Sequence, residues 1–280
     1  MSEQRILPGR EGALIEWREF WSYKDLLFLL VRRDFLAKYS QTILGPLWFV
    51  VQPLLMTATF TVVFRNVANL STDQLPAPLF YMAGLLGWNY VNATFLAISN
   101  TFIGNIHIFS KVYFPRLIVP FSFAISNLLT LLVQLATFAA LFAYYKCATI
   151  SNNTFSLSYY ALLLPLVIAQ SVILALGLGL CIAAATAKYR DIVQTLGLFS
   201  QIWLYATPVI YPASKVPQGY QWLVYINPMA AIVECFRSIL LGRSSVNGTM
   251  IATSCCLTAA IALTGVSLFR RVERTVVDFV

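Results

Sequence analysis

Six apolar runs, each about as long as a bilayer is thick, constrain this chain more than any other feature. A helix needs about 20 apolar residues to cross the hydrocarbon core, and the runs cover residues 47–66, 79–103, 117–145, 159–187, 192–211 and 249–269. Residues 162–169 are apolar on every side, whereas the strands of a membrane barrel alternate apolar and polar positions. Charged residues make up only 11% of the chain, against about 25% in soluble domains. The sequence therefore predicts an all-α integral membrane protein with six transmembrane helices.

The distribution of basic residues predicts which side of the membrane each loop occupies. Residues 1–46 are rich in charge and have no apolar run long enough for a signal peptide, so we expect this segment in the cytosol. An even number of spans then returns the C-terminus to the same side. Most of the 19 Lys and Arg residues fall in the predicted cytosolic segments, as expected for a membrane protein. The net charge of +8 therefore fits anionic headgroups and an acidic cytosolic partner, and requires no nucleic acid.

Two cytosolic segments carry apolar side chains that need a partner. Residues 14–39 have helical apolar spacing with basic residues among them, which predicts an amphipathic helix at the membrane interface before the break at Gly45-Pro46. This helix is either a plain anchor or a docking surface. The second segment, here called the 105–116 loop, contains Ile108, Phe109, Val112, Tyr113 and Phe114. We expect these residues to be exposed and to need a hydrophobic partner. A groove in another subunit would fit them, although a helix on the bilayer surface is the alternative.

The segment of residues 212–248 is the largest predicted loop on the external side. It contains an apolar stretch, residues 229–241, that is too short and too charged for a comfortable seventh span. Glu234 and Arg237 lie three residues apart and can pair on one helical face. We expect a re-entrant helical hairpin after the fifth span, with a lid over a pathway as its functional interpretation. Pro208 is expected to kink the fifth span or leave its end irregular.

Several absences narrow the chemistry. The sequence has no phosphate-binding loop, no metal-ligand spacing and a single histidine, His107, so we expect no catalytic residue, metal or cofactor in this chain. The predicted spans have no Asp or Glu in their interiors, which ion-coupled transporters use. Energy must come from elsewhere, or the protein is not a pump. Two glycine pairs, Gly84 with Gly87 and Gly177 with Gly179, predict close helix packing.

The spans instead combine aromatic side chains with amides. Aromatic faces stack on sugar rings while amides bond their hydroxyl groups, so these residues suit a glycan path. They equally suit interfacial belts and helix–helix contacts. The candidates for the path are Trp48, Gln52, Tyr81, Trp88 and Tyr90.

Five motifs in this order resemble one known family over most of the chain, from Trp17 to about Arg274. They are Arg33-Asp34 followed by Tyr39-x-Gln-Thr-x-Leu-Gly-Pro-x-Trp48 and Gln52-Pro53, then Lys111-Val-Tyr-Phe-Pro-Arg116, Tyr189-Arg-Asp191, Thr207-Pro-Val-Ile-Tyr211, and Asn227-Pro-Met229 with Arg237. The chain is similar to the membrane subunit of ABC-2 type exporters of bacterial surface polysaccharides. That family includes the O-antigen, capsule and teichoic-acid permeases.

The resemblance implies a homodimer of this chain in the bacterial inner membrane, working with two copies of a separate ATPase subunit that holds ATP and Mg²⁺. The cargo would be a polyprenyl-diphosphate-linked polysaccharide, O-antigen before teichoic acid or capsule. Residues implied to couple to the ATPase are Arg33, Ile108, Phe109, Lys111, Tyr113, Phe114 and Arg116. The implied external gate contains Pro208, Tyr211, Asn227, Pro228, Glu234 and Arg237. We further expect Arg33, Lys38 or Arg116 to meet the diphosphate.

Two other classes of function remain open at this point. A lipid or sugar flippase would need no ATPase, and a membrane scaffold would bind a partner that hydrolyses no nucleotide. Neither alternative accounts for both cytosolic segments.

Overall fold

The computed structural model describes residues 17–38, 40, 42–105, 109, 114–148, 159–189, 191–242 and 246–277, and these residues form helices and turns without strands. The all-α class is therefore confirmed for this part of the chain. The α-helices are α1 Trp17–Ser22, α2 Lys24–Ala37, α3 Trp48–Phe60, α4 Ala77–Ser99, α5 Thr101–Gly104, α6 Ile118–Ala148, α7 Leu164–Lys188, α8 Ile192–Ala206, α9 Gln221–Ile226, α10 Pro228–Leu241 and α11 Gly248–Val277. A π-helical turn, Thr61–Val67, extends α3.

Four helical segments of the described residues are long and apolar enough to cross a membrane: Gly45–Val67, Ile118–Cys147, Ala161–Lys188 and Gly248–Glu273. The segments Gln218–Ile226 and Pro228–Leu241, which meet at 93°, would make a fifth if they form one broken span. The count of six spans stays a prediction. The two further predicted spans correspond to α4 and α8, which are less apolar or shorter than these four.

The fifth predicted span, residues 192–211, is wrong at its C-terminal boundary because α8 ends at Ala206. Proline disfavours helical geometry in the residue before it, and Thr207 is extended, with φ −98° and ψ 138°. With 15 residues, α8 is roughly 22 Å long. The expectation of an irregular helix end at Pro208 is confirmed.

Helix α4 lies at the centre of the molecule and positions both polar sites described below. It packs against α6, α7 and α10, and Leu79, Tyr81, Met82 and Ala83 are fully enclosed by the protein. A helix surrounded by other helices needs no lipid-facing apolar surface. This explains how α4 can carry Asn89 and Asn92 in its middle.

The glycines predicted to serve helix packing do so. A Cβ atom on Gly177 would lie 2.8 Å from the backbone of Ala262 in α11, and one on Gly179 would lie 2.6 Å from Ile98 in α4. Gly265 of α11 faces the carbonyl group of Gly177. Helix α7 is therefore held against α11 and α4 by contacts that leave no room for a side chain.

The segment 14–39 was predicted to be one amphipathic helix. Residues 14–16 and 39 lie outside the described residues, and the described part forms two helices, α1 and α2, separated at Tyr23. Helix α2 buries Leu30 and Val31 and packs against α6, while Phe28 on its outer side is 74% exposed. Gly45 has a φ of +51°, which favours glycine, and the chain turns there into α3. The predicted break at Gly45-Pro46 is confirmed, and the position of α2 at the membrane interface stays a prediction.

Candidate functional site

A buried ion pair lies where α8 ends and α10 passes α4. Nη1 of Arg237 donates to Oε1 of Glu234 over 3.0 Å, and the two residues are 1% and 3% exposed. The predicted pairing of these two residues is confirmed. They lie three positions apart on α10, so one helical face presents both charges.

Arg237 also satisfies the backbone that follows α8. Its Nη1 donates to the carbonyl oxygen of Pro208 over 2.6 Å and to that of Tyr211 over 3.5 Å, and its Nη2 donates to Val209. Carbonyl groups past a helix end have no partner within the helix. The guanidinium supplies the hydrogen-bond donors for these carbonyl groups in a region that is enclosed by protein. Oε1 of Glu234 accepts a further hydrogen bond from the N–H of Ala213, over 3.0 Å.

The guanidinium fits against α4 because Phe80 offers a ring face and Gly84 has no side chain. Its central carbon lies 3.8 Å from the centre of the Phe80 ring, a cation–π contact. A Cβ atom on Gly84 would lie 2.8 Å from Nη2 of Arg237. Gly84 is thus the opening in α4 that admits the guanidinium.

Asn227 connects the bend between α9 and α10 to the end of α8. Its Oδ1 accepts hydrogen bonds from the N–H of Met229 and from Nε1 of Trp203, each over 3.1 Å, and its Nδ2 donates to Oγ1 of Thr207 over 2.9 Å. It therefore caps the N-terminus of α10 while it fixes the end of α8. Pro228 occupies the first turn of α10, as proline prefers.

The structure thus gathers all six predicted gate residues around the irregular end of α8. Tyr211 takes part through its carbonyl group and through its hydroxyl group, which donates to the backbone of Tyr205 over 3.2 Å. Helices α9 and α10 bend by 93° at Asn227. The role of this cluster as a gate stays a prediction. Its tight hydrogen bonding was visible in the sequence only as the Glu234–Arg237 spacing.

A cavity of about 880 Å³ lies between α2, α3, α4 and α6. Three of the five residues predicted to meet a glycan line it: Trp48, Gln52 and Tyr90. The other two lie elsewhere. Tyr81 packs against Phe60, with the ring centres 6.1 Å apart. Trp88 packs edge-to-face against Trp203, with the ring centres 5.3 Å apart.

The described residues of the cavity wall include the cation of Lys38, the carboxylate of Asp34 and several amides. Nζ of Lys38 donates to Oδ1 of Asn127 over 2.6 Å and to Oγ1 of Thr130 over 3.5 Å. Burial lowers the pKa of Lys38, and the nearby Asp34 carboxylate partly opposes that change. The wall also includes Asn89, Asn92 and Gln134.

Sequence reasoning missed the contribution of α6 to this wall. Asn127 and Gln134 stand about two helical turns apart in an otherwise apolar run, which places them on one face. That spacing was the available signal.

The predicted coupling residues are only partly described. Ile108, Lys111, Val112 and Tyr113 lie outside the described residues. Arg33 is exposed and pairs with Asp34 at 2.8 Å. The guanidinium of Arg116 lies 5.6 Å from the ring centre of Phe109.

Phe114 is not on the surface, so the expectation that it is exposed was wrong. It is 5% exposed and packs in a cluster with Phe20, Leu30, Ile118 and Val119. The N-terminal helices cover it, which the sequence did not indicate. Phe109 is half-buried between this cluster and the one around Phe102 and Phe269.

Among the described residues, no group of three or more His, Cys, Asp or Glu side chains is placed to hold a metal ion. The polar clusters contain amides, hydroxyl groups, single carboxylates and single cations. Such groups can bind polar ligands and fix helices.

Comparison with known proteins shows the family to which this chain belongs. The O-antigen export system permease protein RfbA of Klebsiella pneumoniae is 25% identical over 89% of this chain and 92% of its own length. A protein of the same name from Myxococcus xanthus is 27% identical over 79% of this chain and 82% of its own. The capsule polysaccharide export inner-membrane protein CtrC of Neisseria meningitidis serogroup A is 24% identical over 79% of this chain and 81% of its own length. The model of the ABC-2 type transporter family matches residues 25–241, and the chain therefore belongs to that family of membrane proteins.

Proposed function

We propose that this chain is the permease subunit of an ATP-driven exporter that moves a polyprenyl-diphosphate-linked polysaccharide across the bacterial inner membrane. The observation that carries the proposal is the extent of the similarity: relatives named as O-antigen and capsule exporters match over about four-fifths or more of both chains. O-antigen is the first candidate cargo, since relatives with that name from two organisms match at 25% and 27% identity. Capsule polysaccharide is the second candidate, supported by the match to CtrC.

The energy for transport would come from a separate ATPase. Two copies of this chain would work with two copies of an ATP-binding subunit, and the 105–116 loop with α2 would receive its motion. Support comes from the position of Phe109 between the N-terminal and C-terminal helices. A force applied at this residue would reach both ends of the chain.

The glycan path would begin at the cavity between α2, α3, α4 and α6. Amides bond sugar hydroxyl groups and aromatic faces stack on sugar rings, and Trp48, Gln52 and Tyr90 offer both within one cavity. Tyr81 and Trp88 would then support the wall from behind. Lys38 is the basic residue of this cavity, which favours it over Arg33 and Arg116 as a contact for the diphosphate.

The proposed topology has six spans, with α4 and α8 as the second and fifth and with both termini in the cytosol. Helices α9 and α10 would form the re-entrant hairpin, and the cluster around Arg237 would be the external gate. Enclosure of a charged pair by protein is the arrangement that a membrane requires. Its burial supports a position at membrane depth.

Transport by the reconstituted complex tests the proposal. The chain and its nucleotide-binding partner are placed in lipid vesicles, and transfer of a polyprenyl-diphosphate-linked glycan is measured with and without ATP. A partner lacking its phosphate-loop lysine is the control for hydrolysis. Transport that requires no nucleotide would identify a flippase, and a partner that hydrolyses no nucleotide would identify a scaffold.

The cavity is tested in the same vesicles. We expect Gln52→Ala and Trp48→Ala to slow transport, while Leu132→Ala, a truncation on the exposed side of α6, leaves it unchanged. Equal transport by all three variants would place the glycan path elsewhere.

A further inference from the structure

Arg116, the last residue of the 105–116 loop, is hydrogen-bonded to Glu273 of α11. The backbone N–H of Arg116 donates to Oε1 of Glu273 over 3.1 Å, and Nη1 of Arg116 donates to the backbone carbonyl oxygen of Glu273, also over 3.1 Å. The two residues are 157 positions apart in the chain. A hydrogen bond to a carboxylate is about twice as strong as one between neutral groups. The guanidinium also lies near the C-terminal end of α11, where a cation is favoured.

Aromatic packing surrounds this pair. Phe102, just before the loop, stacks on Phe269 of α11, with ring centres 4.8 Å apart, and Phe269 is fully buried. Phe109 lies 6.1 Å from Phe102 and also contacts the Arg116 guanidinium. The loop is therefore held to α11 by an apolar contact and a polar one, one helical turn apart.

Helix α11 passes the constraint to the middle of the molecule. Gly265 lies about two turns before Glu273 and touches the backbone of Gly177 in α7. No side chain separates the two helices there, so they cannot slide or separate without breaking the contact. Helices α7 and α11 are therefore in close backbone contact about two turns from Glu273.

We propose that Glu273 is a positioning residue for energy coupling: it makes Arg116, at the end of the 105–116 loop, move with α11. This inference rests on the proposed function, because it assumes that an ATPase acts on the loop. Glu273 touches neither glycan nor nucleotide in this role. It acts through Arg116, and its loss weakens the link between ATP hydrolysis and movement of the membrane helices, because one of the two hydrogen bonds to Arg116 disappears.

The amount of glycan exported per ATP hydrolysed measures this coupling. In the complete complex in lipid vesicles, we expect Glu273→Ala to bind the ATPase and hydrolyse ATP as the unaltered chain does. The glycan exported per ATP should fall, by up to about tenfold if the whole free energy of the lost charge-assisted hydrogen bond serves coupling. Glu273→Gln retains a carbonyl oxygen for the Arg116 N–H and should recover most of the coupling. The matched control is Ser267→Ala, whose hydroxyl group donates to the backbone carbonyl oxygen of Leu263 in its own helix.

Amide hydrogen exchange provides a second measurement that needs no transport. Exchange at the Arg116 N–H should become about tenfold faster in Glu273→Ala and should stay unchanged in Ser267→Ala. Unchanged glycan per ATP or unchanged exchange at Arg116 in Glu273→Ala would overturn the inference. A Glu273→Ala chain that no longer assembles with the ATPase would also overturn it, since Glu273 would then hold structure only. Export by the unaltered chain without any ATPase would instead refute the proposed function.

Discussion

Replacing Arg237 by methionine tests whether the buried ion pair holds α8 to α10. The change leaves the Glu234 carboxylate inside the protein with its cation removed, and it deprives the carbonyl groups of Pro208 and Val209 of their donors. Breaking one side of a buried pair costs about 3–5 kcal/mol. A change of 1 kcal/mol shifts the midpoint of thermal unfolding by about 2–4 °C in a chain of 150–250 residues. We therefore expect the midpoint to fall by at least about 6 °C.

The measurement is thermal unfolding of the purified chain in lipid nanodiscs at one fixed scan rate, because membrane proteins often unfold irreversibly. The double variant Arg237→Met with Glu234→Gln removes both charges and keeps an acceptor for the N–H of Ala213. It should be more stable than the single variant, since no uncompensated charge remains. Lys215→Met, which removes an exposed cation from the same loop region, is the control. This reasoning would be contradicted if Arg237→Met lowered the unfolding midpoint by less than about 2 °C. It would also be contradicted if the double variant were less stable than Arg237→Met.

Three further substitutions test close contacts that the structure shows. Gly84→Ala should cost about 1–3 kcal/mol in unfolding free energy, because its methyl group would meet the Arg237 guanidinium; Gly104→Ala, which faces open space, is its control, and equal stability of the two would contradict the close approach. Gly177→Ala should cost about 3 kcal/mol, since the neighbour is helix backbone that cannot turn aside; an unchanged unfolding midpoint would argue against the α7–α11 contact. Phe114→Asp should destabilise the isolated chain by at least about 3 kcal/mol, the scale of deleting a buried Phe, and loss of ATPase binding with unaltered stability would instead return Phe114 to the surface.

The sequence predicted what depends on local patterns. The long apolar runs specify helices in any membrane, and the spacing of Glu234 and Arg237 is enough to predict their pairing. The effect of Pro208 on the end of α8 is equally local. For these features the required information lies within a few residues of one another.

What the sequence did not predict depends on contacts between distant segments. Phe114 has the same neighbours in sequence whether it is exposed or covered, and only the folding of Phe20 and Leu30 over it decides the outcome. The bond between Lys38 and Asn127 joins residues 89 positions apart. Tyr81 and Trp88 belong to the same aromatic pattern as Trp48, but they face other helices. No spacing rule distinguishes these cases.

Helix α4 carries polar groups in its middle because other helices surround it. A helix in contact with lipid must be apolar on its outside, whereas α4 is enclosed by protein and is free to use its surface for contacts. Near its N-terminal end Phe80 and Gly84 receive the Arg237 guanidinium, and further along Asn89 and Tyr90 line the cavity. The cost of these polar groups in lipid is avoided because they face partners or a cavity. The two sites that we assign to the gate and the glycan path therefore share one central helix, so a shift of α4 along its axis would alter both at once.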